Sequence, residues 1–471
     1  MTSTESPNFP CLLKHIYTLE KPNQKILLYE GDLDIKQEFD QTTIIARGSG
    51  DVYLKWFPYP QVEFNLSGNE LLRLRPDIYE IFVKLPNTEN FAQAIAPISH
   101  GFNQIGVETK EIKEGNVREP LVIGSGQDIK YVQFYLTNFE KFSGSQTSIY
   151  DLEVFVGYRA TFAAEGWQVI IDSVKDIESH LNLLKAQGGY GITHVGRVAR
   201  LNGENFRAEE VLDFLEILSD FLSFVRGIRI SPLLLVGYDA SDQPVWKVWA
   251  SSNSDPWWQP VHNWAWGLYA EMIAEVFPGF YRWRQSWGEE AKLAIYWYLM
   301  TEPTKAESSI ILAQSALELL SWVRLVEKEQ VFAPEQFEGF SASQKINRLL
   351  EKLKIPKSID PRLNALANFS NRFDVNFRNN GAYALSKVRN DMAHLSTSNR
   401  QSLFNFNTCS SVTIETAKLI RWYLELSFLS LSHYQGFYCN CLSQHISWGS
   451  RELVPWSSYH SPNHNTDRVG S

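Results

Sequence analysis

What the chain lacks narrows its possible roles first. Its four cysteines (Cys11, Cys409, Cys439 and Cys441, in 471 residues) are too few and too scattered for a disulfide framework. No run of about eighteen uncharged apolar residues is present to span a bilayer. The opening MTSTESPNFPCLLKHIY has neither the basic n-region nor the long apolar h-region of a secretory signal. These absences predict a reducing, cytoplasmic setting and no membrane partner. Common catalytic signatures are missing too: there is no G-x-S-x-G elbow and no H-E-x-x-H. The glycine turns RGSG at 47–50 and IGSGQ at 123–127 lack the lysine and hydroxyl of a phosphate loop, so they read as hairpin turns. No internal repeat is visible. Positive charge is short overall, with a net −9, which argues against a general polyanion binder.

What is present points to a multidomain α+β protein. The length favours two or three domains, and 44% hydrophobic residues with 13% aromatics supply ample core. The first half is strand-like. KILLYEG, TTIIARG, VYLKWF, VEFNLSG, YEIFVKL, KYVQFYLTNF and LEVFVGYRATF are β-branched and aromatic runs separated by turn residues at roughly ten-residue spacing. That rhythm predicts an antiparallel sheet or sandwich. WQVIIDSV reads as a further strand and DIESHLNLLKAQ as a helix. A largely buried helix is expected from about Arg207 to Val225, with Gly227 as its C′ stop. SPLLLVGYD and QPVWKVWAS then form a hairpin.

From Glu289 the pattern turns helical. EEAKLAIYWYLM, the long PTKAESSIILAQSALELLSWVRLVEKEQ, SASQKINRLLEKL, GAYALSKVRNDMAHLS and VTIETAKLIRWYLELSFLSLSHYQ read as a bundle. The predicted division is therefore a β-rich region over 1–255, a Trp-rich connector over 256–288, a helical bundle over 289–445 and a flexible tail over 446–471. Nine of the fifteen tryptophans lie between Trp246 and Trp297. They offer either stacking surface for a ligand or, as the preferred reading, an aromatic packing interface.

One helix carries the chemistry. In GAYALSKVRNDMAHLS, Leu385, Val388, Met392 and Leu395 form an apolar stripe at helical spacing. Asn390 and His394 are i,i+4 neighbours on the opposite side, and Arg389 flanks them. A neutral imidazole can take a proton from a ribose 2′-hydroxyl, and a guanidinium can hold a phosphate. The local charge agrees. Residues 341–400 contain eleven Lys or Arg against four acids, a local +7 in a chain whose remainder carries −16. Arg372, Arg378 and Lys387 are the nearest candidates for RNA contact.

This Arg389-Asn390-x3-His394 pattern within a helical bundle resembles the HEPN (higher eukaryote and prokaryote nucleotide-binding) domain, and the β-rich half followed by that bundle is similar to ApeA-like anti-phage defence proteins. The resemblance implies a metal-independent endoribonuclease with no cofactor. His394 would serve as general base or acid, Arg389 would bind the scissile phosphate, and Asn390 would orient it or the imidazole. Glu318 stands where related bundles often carry an acid that orients the arginine. Because the chain has no second such motif, the resemblance further implies a homodimer. It also implies RNA products with 2′,3′-cyclic phosphate ends, and a β-rich half that answers a phage-derived trigger. The rival expectation is a non-catalytic RNA-, nucleotide- or partner-binding bundle. His433, Cys439, Cys441 and His445 count four zinc-capable residues, but the C-x-C spacing is unlike standard structural sites, and no metal is expected.

Overall fold

The computed structural model describes residues 10–17, 21–86, 88–102, 108–149, 152–257, 262–267, 269–301, 306–393, 406–443 and 451–458. The chain divides into two compact units, Met1–Val261 with Leu268–Ala274, and His262–Gly267 with Glu275–Ser471. The first is β-rich and the second helical, as the sequence pattern predicts.

The first unit begins with β1 (Ile26–Phe39), β2 (Thr42–Lys55), β3 (Gln61–Gly68), β4 (Glu80–Lys84), β5 (Ala92–Ile95), β6 (Ser99–Phe102) and β7 (Glu108–Val117). Sheet order is β3-β2-β1-β4-β5-β7-β6, and β3 also pairs with β7, which closes six strands into an antiparallel barrel. Alternation of side chains points Leu33, Ile35, Val52, Leu54, Val62, Phe64, Ile81, Val83 and Ile112 into its interior. Phe64 fills space over Gly115, where any Cβ would collide with the ring. The buried Gln37 amide ties β1 to the segment that leads into β4. Its Nε2 donates to the carbonyls of Arg75 and Ile78, and its Oε1 accepts from the Arg75 amide.

A second sheet follows, built from β8 (Leu121–Gly124), β9 (Tyr131–Thr137), β10 (Ser145–Ile149), β11 (Leu152–Ala164), β12 (Trp167–Ser173), β13 (Ile192–Arg200), β14 (Leu233–Tyr238) and β15 (Pro244–Trp249). Its order is β10-β11-β12-β13-β9-β14-β15-β8. Tyr135, Val195 and Val236 of this sheet share one core with the barrel residues. Helix α1 (Ile177–Gln187) lies between β12 and β13, and α2 (Ala208–Arg226) between β13 and β14. The rings of Phe214 and Phe221 on α2 meet Trp167 and Phe162 of the sheet. Gly227 ends α2 in the left-handed conformation at φ 77°, as its predicted C′ role requires.

The second unit contains most of α3 (Ala270–Trp287), then α4 (Glu289–Leu299), α5 (Ala306–Trp322), α6 (Pro334–Glu338), α7 (Ala342–Lys352), α8 (Asn364–Ser370), α9 (Gly381–Ala393) and α10 (Phe406–Leu431). Central α5 packs against α4, α7, α9 and α10. Its Ile310, Ala313, Ala316, Leu317 and Leu320 are buried, each large aliphatic side chain contributing about 1.5–3 kcal/mol. The stretch Ala306–Lys328 is long and apolar enough to cross a membrane by composition, yet 61% of its apolar 18-residue window is buried inside the protein. Ser341 caps α7 by a reciprocal box with Gln344, which explains why that helix starts where it does.

Three expectations are corrected. The region 256–288 is not only a connector, because the whole of α3 falls inside it. Six of the nine clustered tryptophans (Trp246, Trp249, Trp257, Trp264, Trp283 and Trp287) are buried core residues. The long helix predicted through Gln330 changes to π-helical turns over Val323–Lys328. The chain after residue 446 is not uniformly loose. Strand β17 (Arg451–Leu453) pairs with β16 (Phe437–Cys439), Val454 is buried, and Trp456 Nε1 donates to the Tyr434 carbonyl at 2.7 Å.

Candidate functional site

Asn380 sets the start of α9. Its Oδ1 accepts from the Tyr383 amide at 2.8 Å, and its side chain exchanges hydrogen bonds of 3.1 and 3.2 Å with that of Asn347 on α7. Gly381 follows at the first helical position, against the Tyr423 hydroxyl of α10. Ala382, Ala384, Leu385 and Val388 are buried on the inner side of α9, which packs against α5, α7, α8 and α10. Lys387 and Asn390 are exposed, and Arg389 is half-buried.

The predicted apolar stripe is therefore present on the inner side as far as Met392, itself half-buried, with Asn390 exposed opposite it. His394 and Leu395, the last position of the apolar stripe, lie outside the described residues. Arg389 Nη1 donates to Asn390 Oδ1 at 3.3 Å, bringing these two candidates together. Lys387 Nζ meets Asp391 Oδ1 at 2.8 Å, so part of its charge is neutralised along the same helix. Arg372 and Arg378 are exposed in the segment before α9, and Arg378 Nε donates to the Phe373 carbonyl at 2.9 Å. Glu318 sits on α5 and accepts from Gln314 Nε2 at 2.9 Å. No ion pair joins it to Arg389 among the described residues.

Sequence reasoning missed a buried polar network that joins α4 to α10. Tyr298 Oη donates to Glu425 Oε1 at 2.9 Å, and Arg421 reaches Glu425 Oε1 (3.2 Å), Tyr298 Oη (3.0 Å) and the Thr301 carbonyl (2.6 Å). Burial pushes the Glu425 carboxyl above its ordinary range, opposed by the Arg421 guanidinium. The i,i+4 spacing of Arg421 and Glu425 was the only available signal. Burial also pushes the Cys439 thiol up to about 11 and Cys441 well upward. Both remain thiols at neutral pH, the form least suited to nucleophilic attack or metal ligation. Of the four zinc-capable residues, His445 lies outside the described residues. Among those described, no cluster of three or more His, Cys, Asp or Glu is placed to hold a metal ion.

The β-rich unit holds a cavity of about 600 Å³ lined by residues 12–15, 172–175 and Val195. Its floor includes the buried Asp172, held bidentately by Arg159 at 2.7 Å on each oxygen. The Leu13 amide donates to Asp172 Oδ2 at 2.8 Å, and Arg159 reaches the Cys11 carbonyl at 2.8 Å. One ion pair thus anchors residues 11–13 beside the cavity.

Together these features define an α+β protein whose closed barrel and broad sheet precede a helical bundle with a polar, partly cationic outer helix. Within that class, residues 124–260 match the family model described as the YopA central domain, and residues 284–452 match the YopA C-terminal domain. The chain is 24% identical over 448 residues to the "SPbeta prophage-derived uncharacterized protein YopA" of Bacillus subtilis (strain 168), covering 93% of this chain and 96% of that one. No solved structure matches. Helix α9 falls inside the C-terminal match.

Proposed function

We propose that the helical unit is a metal-independent, HEPN-type endoribonuclease acting in phage–host conflict. The observation that carries this reading is the pairing of Arg389 with Asn390 on the outer side of α9, in a segment rich in positive charge. In this reading Arg389 binds the scissile phosphate and stabilises its developing charge. Asn390 orients the phosphate or the imidazole of His394, which takes the 2′-hydroxyl proton. The 2′-oxygen then attacks the adjacent phosphorus and the 5′-oxygen leaves, giving 2′,3′-cyclic phosphate and 5′-hydroxyl ends. A second copy of α9, supplied by a homodimer, provides the other half of the acid–base pair. The β-rich unit holds the activity in check until a phage-derived trigger binds, and its cavity offers a place for ligand-linked control. The protein works in the cytoplasm. The prophage origin in the relative's name fits such a conflict role.

The test is cleavage of labelled single-stranded RNA in EDTA by wild type and His394→Ala, with the isolated bundle assayed alongside in case the whole chain awaits its trigger. Loss of cleavage in the variant, with RNA affinity retained and cyclic-phosphate ends in the wild-type products, supports the nuclease. A bundle that dimerises and binds RNA but leaves it intact favours a non-catalytic binding module. That second reading draws on Glu318, which bonds to Gln314 rather than to Arg389.

A further inference from the structure

Just ahead of α9 the chain exposes an aromatic array. Phe369 meets Phe373 edge-on at 5.1 Å, and Phe373 meets Tyr383 edge-on at 5.2 Å. Tyr383 in turn stacks on Phe377 at 4.2 Å with only 14° between the ring planes. The array ends in solvent: Phe377 is 41% and Val375 75% exposed. A cluster serving only to hold the segment would bury its terminal ring, whereas this one leaves apolar surface in water. Arg372 and Arg378 flank it, and the Arg378 Nε bond to the Phe373 carbonyl keeps that guanidinium beside the rings.

The position of Tyr383 links this array to the candidate site. Tyr383, Lys387 and Asn390 are spaced i, i+4, i+7, which places them within about 60° on one helix face. Seven residues of helix advance about 10 Å, roughly the reach of one or two nucleotides of extended single strand. Exposed ring, Lys387 and Asn390 thus follow one another along one face, and Arg389, about 100° round the helix from Asn390, is joined to it by its hydrogen bond.

We propose that Phe377, backed by Tyr383, is a stacking platform for an unpaired RNA base one or two nucleotides from the phosphate held at Arg389. This rests on the ribonucleic-acid reading above and adds the form of RNA preferred. A single strand can splay a base onto an aromatic face. A continuous A-form duplex keeps its bases stacked internally and presents edges and backbone instead. The platform therefore selects single-stranded segments, while Arg372, Arg378 and Lys387 follow the backbone.

The experiment uses full-length protein and fully 2′-O-methylated RNA, which cannot be cleaved through the 2′-oxygen. One probe is an unstructured strand carrying 2-aminopurine, the other a blunt duplex of the same sequence. Phe377→Ala is expected to weaken single-strand binding about tenfold and to relieve the 2-aminopurine quenching, with little change for the duplex. Phe377→Trp is expected to restore both signals, and the melting temperatures of both variants to match wild type. If Phe377→Ala binds and quenches the single strand like wild type while Arg389→Ala weakens it, the platform is overturned and the ribonuclease reading survives. Equal losses on strand and duplex overturn the selectivity. A wild-type protein that binds neither probe overturns both ideas.

Discussion

Tyr298 and Glu425 are both sealed from solvent, and the tyrosine hydroxyl donates to Glu425 Oε1 at 2.9 Å. The same hydroxyl accepts from Arg421, so one oxygen links a cation to its counter-ion. Removing it by Tyr298→Phe leaves both ions short of a partner, with an expected loss of about 1–3 kcal/mol in urea denaturation. Glu425→Ala is expected to cost more, about 3–5 kcal/mol, because Arg421 then stays buried and uncompensated. Paired apolar replacement of Arg421 and Glu425 is expected to cost less than Glu425→Ala alone; a larger loss in the double variant would refute the ion-pair account.

His194 supplies a pH dependence. It is wholly buried against Phe139 and Phe142, and desolvation lowers its pKa from 6.5 to about 3. The unfolded chain takes up a proton there near pH 6.5, whereas the folded chain resists until about pH 3. Stability from this residue is therefore complete above pH 6.5 and falls as pH drops through that window. On the order of 3 kcal/mol separates pH 4 from neutral pH. His194→Phe is expected to flatten this part of the stability–pH curve. A variant that keeps the wild-type slope between pH 6.5 and 4 assigns the dependence elsewhere.

Asp172 joins Arg159 to the incoming N-terminal segment. Asp172→Ala strands the Arg159 guanidinium and frees the Leu13 amide, with an expected loss of about 3–5 kcal/mol. It is also expected to expose Lys14 to trypsin well before the rest of the β-rich unit. Cleavage at Lys14 at an unchanged rate would separate the segment's docking from this ion pair.

Gly381 has no room for a side chain. A Cβ there runs into the Tyr423 hydroxyl. Gly381→Ala is expected to cost about 1–3 kcal/mol and to displace the start of α9. Adding Tyr423→Phe removes the obstructing oxygen, so the double variant is expected to regain part of the loss. Strictly additive losses in the double-mutant cycle would show that the two positions do not interact.

How far the sequence revealed this molecule depended on the range of the interactions. β-branched and aromatic runs marked many of the strands and the apolar arc of α2 marked its burial, because those signals lie within one element. RGSG at 47–50 is no hairpin turn, however, since TTIIARG and VYLKWF run through it as the single strand β2, and β5–β8, β10 and β13 went unread. Leu385 and Val388 on α9 were likewise legible as the inner side, leaving Asn390 outward. The barrel was not legible, since its closure rests on β3 meeting β7, whose paired residues Glu63 and Asn116 lie far apart in the chain. Tyr298 and Arg421 are separated by 123 positions, so their meeting left no local trace. The strand Arg451–Leu453 was overlooked because three residues carry too little periodicity to distinguish a strand from a tail.

The closed barrel bears on how this half of the protein can interact. Each of its six ring strands has a neighbour on both sides, and the one border of that sheet among the described strands is β6, which lies outside the ring and pairs with β7. The broad sheet does end, at β10 and at β8. A partner that recognises the β-rich unit by extending a sheet therefore has β6, β8 or β10 to add to, whereas one that recognises the six-stranded ring must read its side chains.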